Sequence, residues 1–226
     1  IDPQAVIDSG ANLFFITSPH APSGREYDQN CLRRVVESFD GIVVIDEAYA
    51  DFATQNAIGL LDEFHNLIIT RTLSKSYSLA GMRVGYGLGS PELVSVLDEA
   101  REVYNVDRLA QAGAWAALTD RAYFKSTCAK IIEEREKMRS LLREWSWKTC
   151  PSGANFLFTL PVDSHGRTGQ EVAVNLYEYL ASRKILTRHF PRHELTSSYL
   201  RISIGNSRDM DILIERLIEW KTPEQP

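Results

Sequence analysis

Three short apolar runs without polar alternation constrain the fold of this chain more than any other feature. They occupy residues 12–17, 41–46 and 67–71. Side chains alternate between the two faces of a sheet, so a run that is apolar throughout indicates a strand covered on both faces. Between the first two runs, residues 29–39 carry apolar side chains at helical spacing behind Asp28, a good N-cap. This order predicts a βαβ unit with a parallel sheet.

A fourth apolar run at 84–88 extends the predicted sheet, and the chain then becomes helical. Residues 91–145 consist largely of strong helix formers, and the residues Pro151, Ser152 and Gly153 break that pattern. Beyond the break we predict strands at 155–160, 185–189 and 199–204, and helices at 169–183 and 208–220. The fold class is therefore α/β, with one domain over residues 1–120. Residues 121–226 are expected to form a long connecting helix and a small α+β domain.

Charge and composition exclude several classes of protein. The chain has 25 Lys and Arg residues against 30 Asp and Glu, a net charge of −5, without the basic block that nucleic-acid binding requires. No apolar stretch reaches the ~20 residues of a membrane-spanning helix. The first residues lack the pattern of a signal peptide. Three cysteines without a CxxC pair indicate reduced thiols, and we expect a cytoplasmic protein.

Polar side chains follow the predicted strands at the edge where parallel sheets bind their ligands. Asp46 and Tyr49 come after the second strand, whereas Lys75 follows the third among hydroxyl residues, with Arg83 eight residues later. A cationic neighbour and partial burial favour the neutral amine that Schiff-base chemistry needs. A carboxylate in an apolar setting needs a cationic partner, such as a protonated pyridine. Ordinary interpretations also stand: Asp46 as a helix cap, Tyr49 as core and Lys75 as a solvated surface residue.

Two other patterns are set aside. The glycines of residues 85–89 lie in an apolar run that does not open a dinucleotide-binding unit, so we interpret them as part of a tightly packed strand. His189 and His193 are four residues apart, but Pro191 between them rules out the shared helical face of a zinc protease motif. We therefore predict no metal site.

Five segments, taken in order, carry a resemblance to a known family. They are residues 18–24 (SPHAPSG), 44–52 (VIDEAYADF), 71–86 (RTLSKSYSLAGMRVGY), 153–157 (GANFL) and 199–205 (YLRISIG). The chain resembles the fold-type I pyridoxal-phosphate (PLP) aminotransferases, most closely their histidinol-phosphate branch. The resemblance implies a three-layer α/β sandwich of the aspartate aminotransferase type, with the large PLP-binding domain partly present and a small C-terminal domain.

The resemblance implies a cofactor role for six residues. Lys75 forms the Schiff base with PLP and moves the proton between the substrate carbon and the cofactor. Asp46 pairs with the pyridine N–H and maintains the ring as an electron sink, and Tyr49 donates to the phenolic oxygen. Three residues hold the cofactor phosphate: Thr72, Ser74 and Arg83.

The resemblance also implies a substrate site in the second half of the chain. Arg201 holds the anionic end of the substrate, and Arg188 and Asn155 line the same pocket. The implied reaction is transamination between histidinol phosphate and 2-oxoglutarate by a ping-pong mechanism, in a homodimer. An aromatic-amino-acid aminotransferase, a phosphothreonine decarboxylase and a non-catalytic relative remain open, because a guanidinium suits carboxylate and phosphate alike.

The chain departs from the family pattern in two places. Ala21 stands where the family has an Asn that donates to the same cofactor oxygen as Tyr49, which leaves Tyr49 as the main donor. The family also has an N-terminal stretch with a phosphate-binding loop and an aromatic residue over the pyridine ring. This chain starts after both, at Ile1 without Met. We therefore expect a C-terminal part of a longer enzyme, with weak retention of the cofactor.

Overall fold

The computed structural model describes residues 1–222, and the chain divides into two compact units. The first unit comprises Ile1–Ala21 and Arg25–Cys128, and the second comprises Pro22–Gly24 and the chain from Ala129 onward. The division falls inside a long helix, close to the boundary that we predict after residue 120. That domain boundary stays a prediction.

The first unit contains a four-stranded mixed sheet. Its elements in chain order are α1 (Pro3–Ile7), β1 (Leu13–Thr17), α2 (Gln29–Ser38), β2 (Ile42–Asp46), β3 (Leu67–Thr72), β4 (Gly85–Gly89), α3 (Pro91–Ala100), α4 (Arg108–Thr119) and the start of α5 (Arg121–Glu144). The strands lie in the order β1-β2-β3-β4, with the first three parallel and β4 antiparallel to β3. The predicted βαβ unit is confirmed.

Helix α2 begins and packs as its sequence pattern predicts. The Asp28 carboxylate accepts hydrogen bonds from the backbone N–H groups of Asn30 and Cys31, which satisfies donors that the first helical turn leaves open. Its apolar stripe, including Leu32 and Val36, packs in one cluster with Val43 and other buried residues of the sheet. Burial of this stripe holds α2 against the sheet, and the parallel pairing of β1 with β2 places their carboxyl ends side by side, with Thr17 opposite Asp46.

Strand β4 differs from its prediction. It is an edge strand, and Gly85, Tyr86 and Gly87 are exposed, so the segment is not tightly packed on both faces. Close packing occurs in the pairing with β3, where a side chain at Gly85 would approach the backbone oxygen of Arg71 to 2.8 Å. The apolar run therefore predicts the strand correctly but not its burial. Three of the five residues of β4 are glycines, which have no apolar side chain to bury.

The second unit is α+β and contains a four-stranded antiparallel sheet. Its elements are the rest of α5, β5 (Lys148–Thr149), β6 (Phe156–Leu160), α6 (Gln170–Ser182), β7 (Arg188–His189), β8 (Leu200–Ser203) and α7 (Ser207–Lys221). The strand order is β5-β6-β8-β7. Strand β7 is shorter than the predicted 185–189. The Ile185 N–H is bonded to the Leu180 carbonyl in the turn that ends α6, with Lys184 left-handed, and therefore does not pair in the sheet.

One apolar cluster holds the second unit together. Helix α5 contributes Met138 and Leu142, α6 contributes Leu176 and Leu180, and all four are buried against the sheet. Trp147 lies in the same cluster, and its indole N–H donates to the Val162 carbonyl at 3.2 Å. The buried apolar side chains of these helices thus form the core of the second unit.

Replacement of Leu176 with Ala is expected to lower the free energy of unfolding by about 2–5 kcal/mol, because a fully buried leucine leaves a cavity. Urea unfolding followed by circular dichroism measures this loss. Leu186 offers a matched control, since its side chain is 83% exposed and its truncation should change stability little. Equal losses for the two variants would contradict the assignment of the core.

The described residues contain no helix long and apolar enough to cross a membrane. Within residues 1–222, no group of three or more His, Cys, Asp or Glu side chains is arranged to hold a metal ion. No disulfide joins the cysteines of this part of the chain.

Candidate active site

The carboxyl ends of β2 and β3 open into one cavity of the first unit. The two strands are parallel, and Asp46 lies beside Thr70 in the pairing register. The cavity has a volume of about 480 Å³. Its wall includes five of the six residues for which the resemblance implies a cofactor role: Asp46, Thr72, Ser74, Lys75 and Arg83. Residues from two strands and the loop after β3 thus meet at the edge that the parallel topology predicts.

Asp46 is held by the turn that follows β2. One carboxylate oxygen accepts the backbone N–H of Ala48 at 2.9 Å. No α-helix begins there; a short 3-10 turn at Ala50–Phe52 follows, with Tyr49 at its N-cap position. The interpretation of Asp46 as a helix cap is therefore wrong, and its carboxylate stands at the cavity wall in a fixed orientation.

Hydroxyl groups shape the start of the loop that carries Lys75. The Thr72 hydroxyl donates to the Ser74 hydroxyl at 2.9 Å and accepts the Ser74 backbone N–H at 3.1 Å. Side chains of this type often close such turns at the ends of strands. Farther along, Arg83 has a left-handed backbone with φ of 56°, and its guanidinium donates to the Ala80 carbonyl at 2.8 Å. The loop thus presents two hydroxyls and a cation to the same cavity.

Tyr49 joins the group through its ring. The Lys75 Nζ lies 5.4 Å from the centroid of the Tyr49 ring, within the range of a cation–π interaction. Lys75 itself is exposed, so the expected partial burial of this lysine is wrong. The amine is therefore open to an incoming ligand while it rests over an aromatic face.

Sequence reasoning missed a buried ionic network beside this loop. Glu47 is almost fully buried, and its Oε2 accepts hydrogen bonds from Nε and Nη2 of Arg71 at 3.0 and 2.6 Å. Arg71 Nη1 also lies 3.7 Å from Asp51, which accepts the hydroxyl of Ser76. The sequence contained a signal for this pair, since Glu47 follows one buried strand and Arg71 lies near the end of the next. A charge that is buried at such a position needs a partner of opposite charge.

The Arg71 guanidinium keeps its positive charge within this network. Burial opposes the positive charge of Arg71, but the hydrogen bonds and proximity of Glu47 outweigh burial and hold the pKa of that guanidinium above its ordinary value. Burial raises the pKa of Tyr77 to about 12, and the Asp51 carboxylate adds to the shift. Tyr77 stacks on Phe124 with ring centroids 4.4 Å apart. Its phenol therefore stays neutral at physiological pH and adds no further charge near Asp51.

The loop after β1 begins beside Asp46. Ser18 is buried, and its backbone N–H donates to the Asp46 carbonyl at 2.9 Å. Ala21, three residues on, has a methyl side chain and supplies no hydrogen-bond donor of its own. Burial lowers the pKa of His20 in the same loop, which favours the neutral ring.

The second unit brings two of the predicted substrate residues together. Arg188 on β7 and Arg201 on β8 are partners in the pairing register. Both guanidinium groups lie near the Phe190 ring, at 5.6 and 5.8 Å from its centroid. Arg201 is also 4.9 Å from the Phe156 ring. Two positive charges share one aromatic patch, which suits an anionic ligand.

Arg201 has an unsatisfied donor. Its buried Nε has no hydrogen-bond partner in the described part of the chain. Buried polar groups are nearly always paired in folded proteins, so an unpaired guanidinium nitrogen points to a ligand or a water. Asn155, just before β6, accepts the Ile204 N–H through its backbone carbonyl at 2.9 Å. This bond places Asn155 next to β8.

A larger depression of about 920 Å³ lies elsewhere in the second unit, beside the start of α6. Its wall includes His165, Glu178 and Trp220 and none of the predicted site residues. Both depressions are open to solvent, and the smaller one holds the convergent amine, carboxylate and guanidinium. We therefore assign the chemistry to the smaller cavity.

Comparison with known proteins decides the family. The family model described as "Aminotransferase class I and II" matches residues 2–217. The chain belongs to this family. Membership agrees with the resemblance that the five sequence segments carry. The segment at residues 71–86, which contains Lys75, contributes to the cavity wall.

Relatives within the family have a common name. A histidinol-phosphate aminotransferase of Geobacter sp. (strain M21) is 43% identical over 207 residues, which is 92% of this chain and 57% of that protein. A histidinol-phosphate aminotransferase of Synechocystis sp. is 41% identical over 216 residues, which is 96% of this chain and 60% of that protein. The chain thus spans a little over half the length of these curated relatives.

Solved structures confirm the fold class. The histidinol-phosphate aminotransferase of Sinorhizobium meliloti, determined in complex with pyridoxal-5′-phosphate, has a TM-score of 0.84 at 27% identity. The match covers 96% of this chain and 59% of that one. An aspartate aminotransferase variant of Thermus thermophilus gives a TM-score of 0.73 at 18% identity, which shows the fold alone. The predicted α/β fold of the aspartate aminotransferase type is therefore confirmed.

Proposed function

We propose that this chain carries the reactive lysine and the substrate arginines of a PLP-dependent aminotransferase that acts on histidinol phosphate. The observation that carries the proposal is the grouping of Lys75, Asp46 and Arg83 with two hydroxyls around one cavity. PLP has an aldehyde, a pyridine nitrogen and a phosphate. An amine, a carboxylate and a guanidinium are their respective partners.

The donor set fits PLP in chemistry and in size. Asp46, oriented by Ala48, would accept the pyridine N–H. The Thr72 and Ser74 hydroxyls and the Arg83 guanidinium would hold the phosphate through charge-assisted hydrogen bonds. When bound, PLP supplies an electron sink for the substrate carbon. The cavity volume of about 480 Å³ lies within the ~300–1,000 Å³ typical of cofactor sites.

Lys75 moves the proton in the proposed reaction. Its Nζ would take a proton from the substrate carbon and return it to the neighbouring carbon on the cofactor side. The Tyr49 ring, 5.4 Å from Nζ, stabilises the ammonium form. The Tyr49 phenol donates to the cofactor oxygen, and with Ala21 in the neighbouring loop we propose that Tyr49 is the main donor there.

The two arginines of the second unit favour an anionic substrate. Arg201 has an unpaired buried Nε, and Arg188 adds a second positive charge at the same aromatic patch. A phosphate dianion uses both charges, which favours histidinol phosphate as amino donor, and we propose 2-oxoglutarate as the acceptor. The names of the relatives support the same donor. We further propose that the enzyme works as a homodimer in the cytoplasm.

The test is a comparison of amino donors with the PLP-loaded protein. Histidinol phosphate, phenylalanine and tyrosine are supplied with 2-oxoglutarate, and glutamate formation is followed. The proposal requires that histidinol phosphate give the highest kcat/KM. Activity with the aromatic amino acids alone would indicate an aromatic aminotransferase, and carbon dioxide release from phosphothreonine would indicate a decarboxylase. A protein that takes up PLP but turns over none of these would be a non-catalytic relative.

Replacement of Arg201 with Met is expected to raise KM for histidinol phosphate roughly 10- to 100-fold, since a hydrogen bond to a charged group contributes about 1.5–3 kcal/mol. Steady-state kinetics measures the change. Arg183 is the matched control, because it is exposed and its guanidinium lies 3.6 Å from the centroid of the partly buried Tyr179 ring. A KM that moves equally in both variants would show a general effect of lost charge and contradict the role of Arg201.

A further inference from the structure

The buried network beside the lysine loop joins two segments of the first unit. Arg71 donates to Glu47 and lies 3.7 Å from Asp51, and Asp51 accepts the Ser76 hydroxyl. Glu47 and Asp51 belong to the segment after β2, whereas Arg71 and Ser76 belong to the end of β3 and its loop. The network therefore holds together the two segments that carry the candidate phenol and amine.

The position of each bond matters for the reacting groups. Ser76 directly follows Lys75, and Asp51 lies in the 3-10 turn at Ala50–Phe52, which directly follows Tyr49. The hydrogen bond from Ser76 to Asp51 thus connects the segment that carries the Lys75 amine to the segment that carries the Tyr49 ring. Except for Arg71, the network residues lie outside the cavity wall, so they do not compete for the ligand.

Burial of the Glu47–Arg71 ion pair restrains the two segments that it joins. The Glu47 side chain is 1% exposed and that of Arg71 is 14% exposed. Glu47 also accepts the backbone N–H of the fully buried Ala57. A buried ion pair that is fully hydrogen-bonded has one favourable geometry, because any displacement leaves a charge without its partner. The network is thus a rigid support and not a set of surface pairs.

We propose that Glu47, Arg71, Asp51 and Ser76 are positioning residues that hold the Lys75 amine over the Tyr49 ring. The proposal rests on the proposed function in that Lys75 is the reacting amine. Ser76 links the buried pair to the backbone of Lys75, and Asp51 links it to the turn that directly follows Tyr49. Placement within a fraction of an ångström strongly affects the rate at which an amine reaches a bound aldehyde.

The first test needs no cofactor. Lysines are reductively dimethylated with carbon-13 formaldehyde, and the Lys75 signal is assigned with Lys75→Arg. The Tyr49 ring shifts the methyl signal of a nearby amine through its ring current. In Ser76→Ala we expect this shift to fall by more than half, and Ser76→Thr, which keeps the hydroxyl, should restore it. Ser95→Ala removes an exposed hydroxyl on α3 and serves as the matched control.

The second test uses the cofactor. PLP is added and trapped with borohydride, and peptide mapping locates the modified lysine. We expect the rate of trapping at Lys75 to fall roughly 10- to 100-fold in Ser76→Ala, with Asp51→Asn as a second variant if that protein does not fold. If PLP in the unsubstituted protein is trapped at lysines other than Lys75, the proposed function is wrong. The positioning of the Lys75 amine is still tested by its methyl signal, which does not depend on PLP. An unchanged methyl shift in folded Ser76→Ala would overturn the inference.

Discussion

Replacement of Lys75 with Ala is expected to abolish PLP trapping in the cavity and to lower the rate of amino transfer by roughly 10²–10⁴-fold. The variant loses the only amine in the wall of the described cavity, and the remaining cations there, Arg71 and Arg83, are guanidiniums that stay protonated. Neither can attack an aldehyde nor carry a proton at neutral pH. Absorbance titration with PLP and the glutamate assay measure the two losses.

Two further variants make the test of Lys75 specific. Lys75→Arg keeps the positive charge without a reactive amine and should behave as Lys75→Ala does. Lys125→Ala removes an exposed lysine of α5 in the same unit and should bind PLP normally. A cofactor absorbance band that persists in Lys75→Ala and still responds to an amino donor would refute the assignment of the reactive lysine.

Replacement of Arg71 with Met is expected to lower the free energy of unfolding by about 3–5 kcal/mol. The change leaves Glu47 buried with an unpaired charge. Removal of one partner from a buried ion pair strongly destabilises a protein, whereas replacement of both partners by apolar residues is often neutral. Urea unfolding followed by circular dichroism measures the loss. Glu47→Gln together with Arg71→Met should recover part of it, because the buried charge is then gone.

The surface pair Arg33–Glu63 is the control for this prediction. Both side chains are exposed, at 40% and 44%, and exposed pairs contribute little because water and salt screen them. Arg33→Met should therefore lose much less stability than Arg71→Met. Similar losses in the two variants would mean that Glu47 finds another partner or takes up a proton.

The sequence predicted well those parts of the fold that rest on local periodicity. β1, β2 and β3 follow from unalternated apolar runs, and α2 follows from an apolar stripe behind the Asp28 cap. The carboxyl edge of the sheet then places Asp46 and Lys75 together, because parallel strands end at the same side. The roles of these residues rest on the resemblance and stay predictions.

Other features depend on pairing between distant residues and could not be predicted. The two-residue strand β5 is defined by its partner β6, since Lys148 and Thr149 carry no apolar run. The Glu47–Arg71 pair joins side chains from the ends of two strands, and sequence alone does not indicate which charge meets which. Similarly, the exposure of β4 depends on its place at the sheet edge, which local pattern does not reveal.

The antiparallel pairing of β3 with β4 has a consequence for the segment that carries Lys75. Thr72 pairs with Gly85, and the Leu73 N–H donates to the Val84 carbonyl at 3.0 Å, so residues 73–84 form a loop closed at its base. The Leu79 N–H is bonded to the Leu73 carbonyl inside it. Much of the chain entropy of this loop is thus lost on folding, before any ligand arrives. A ligand that binds Lys75 and Arg83 together gains affinity from a loop that is already ordered.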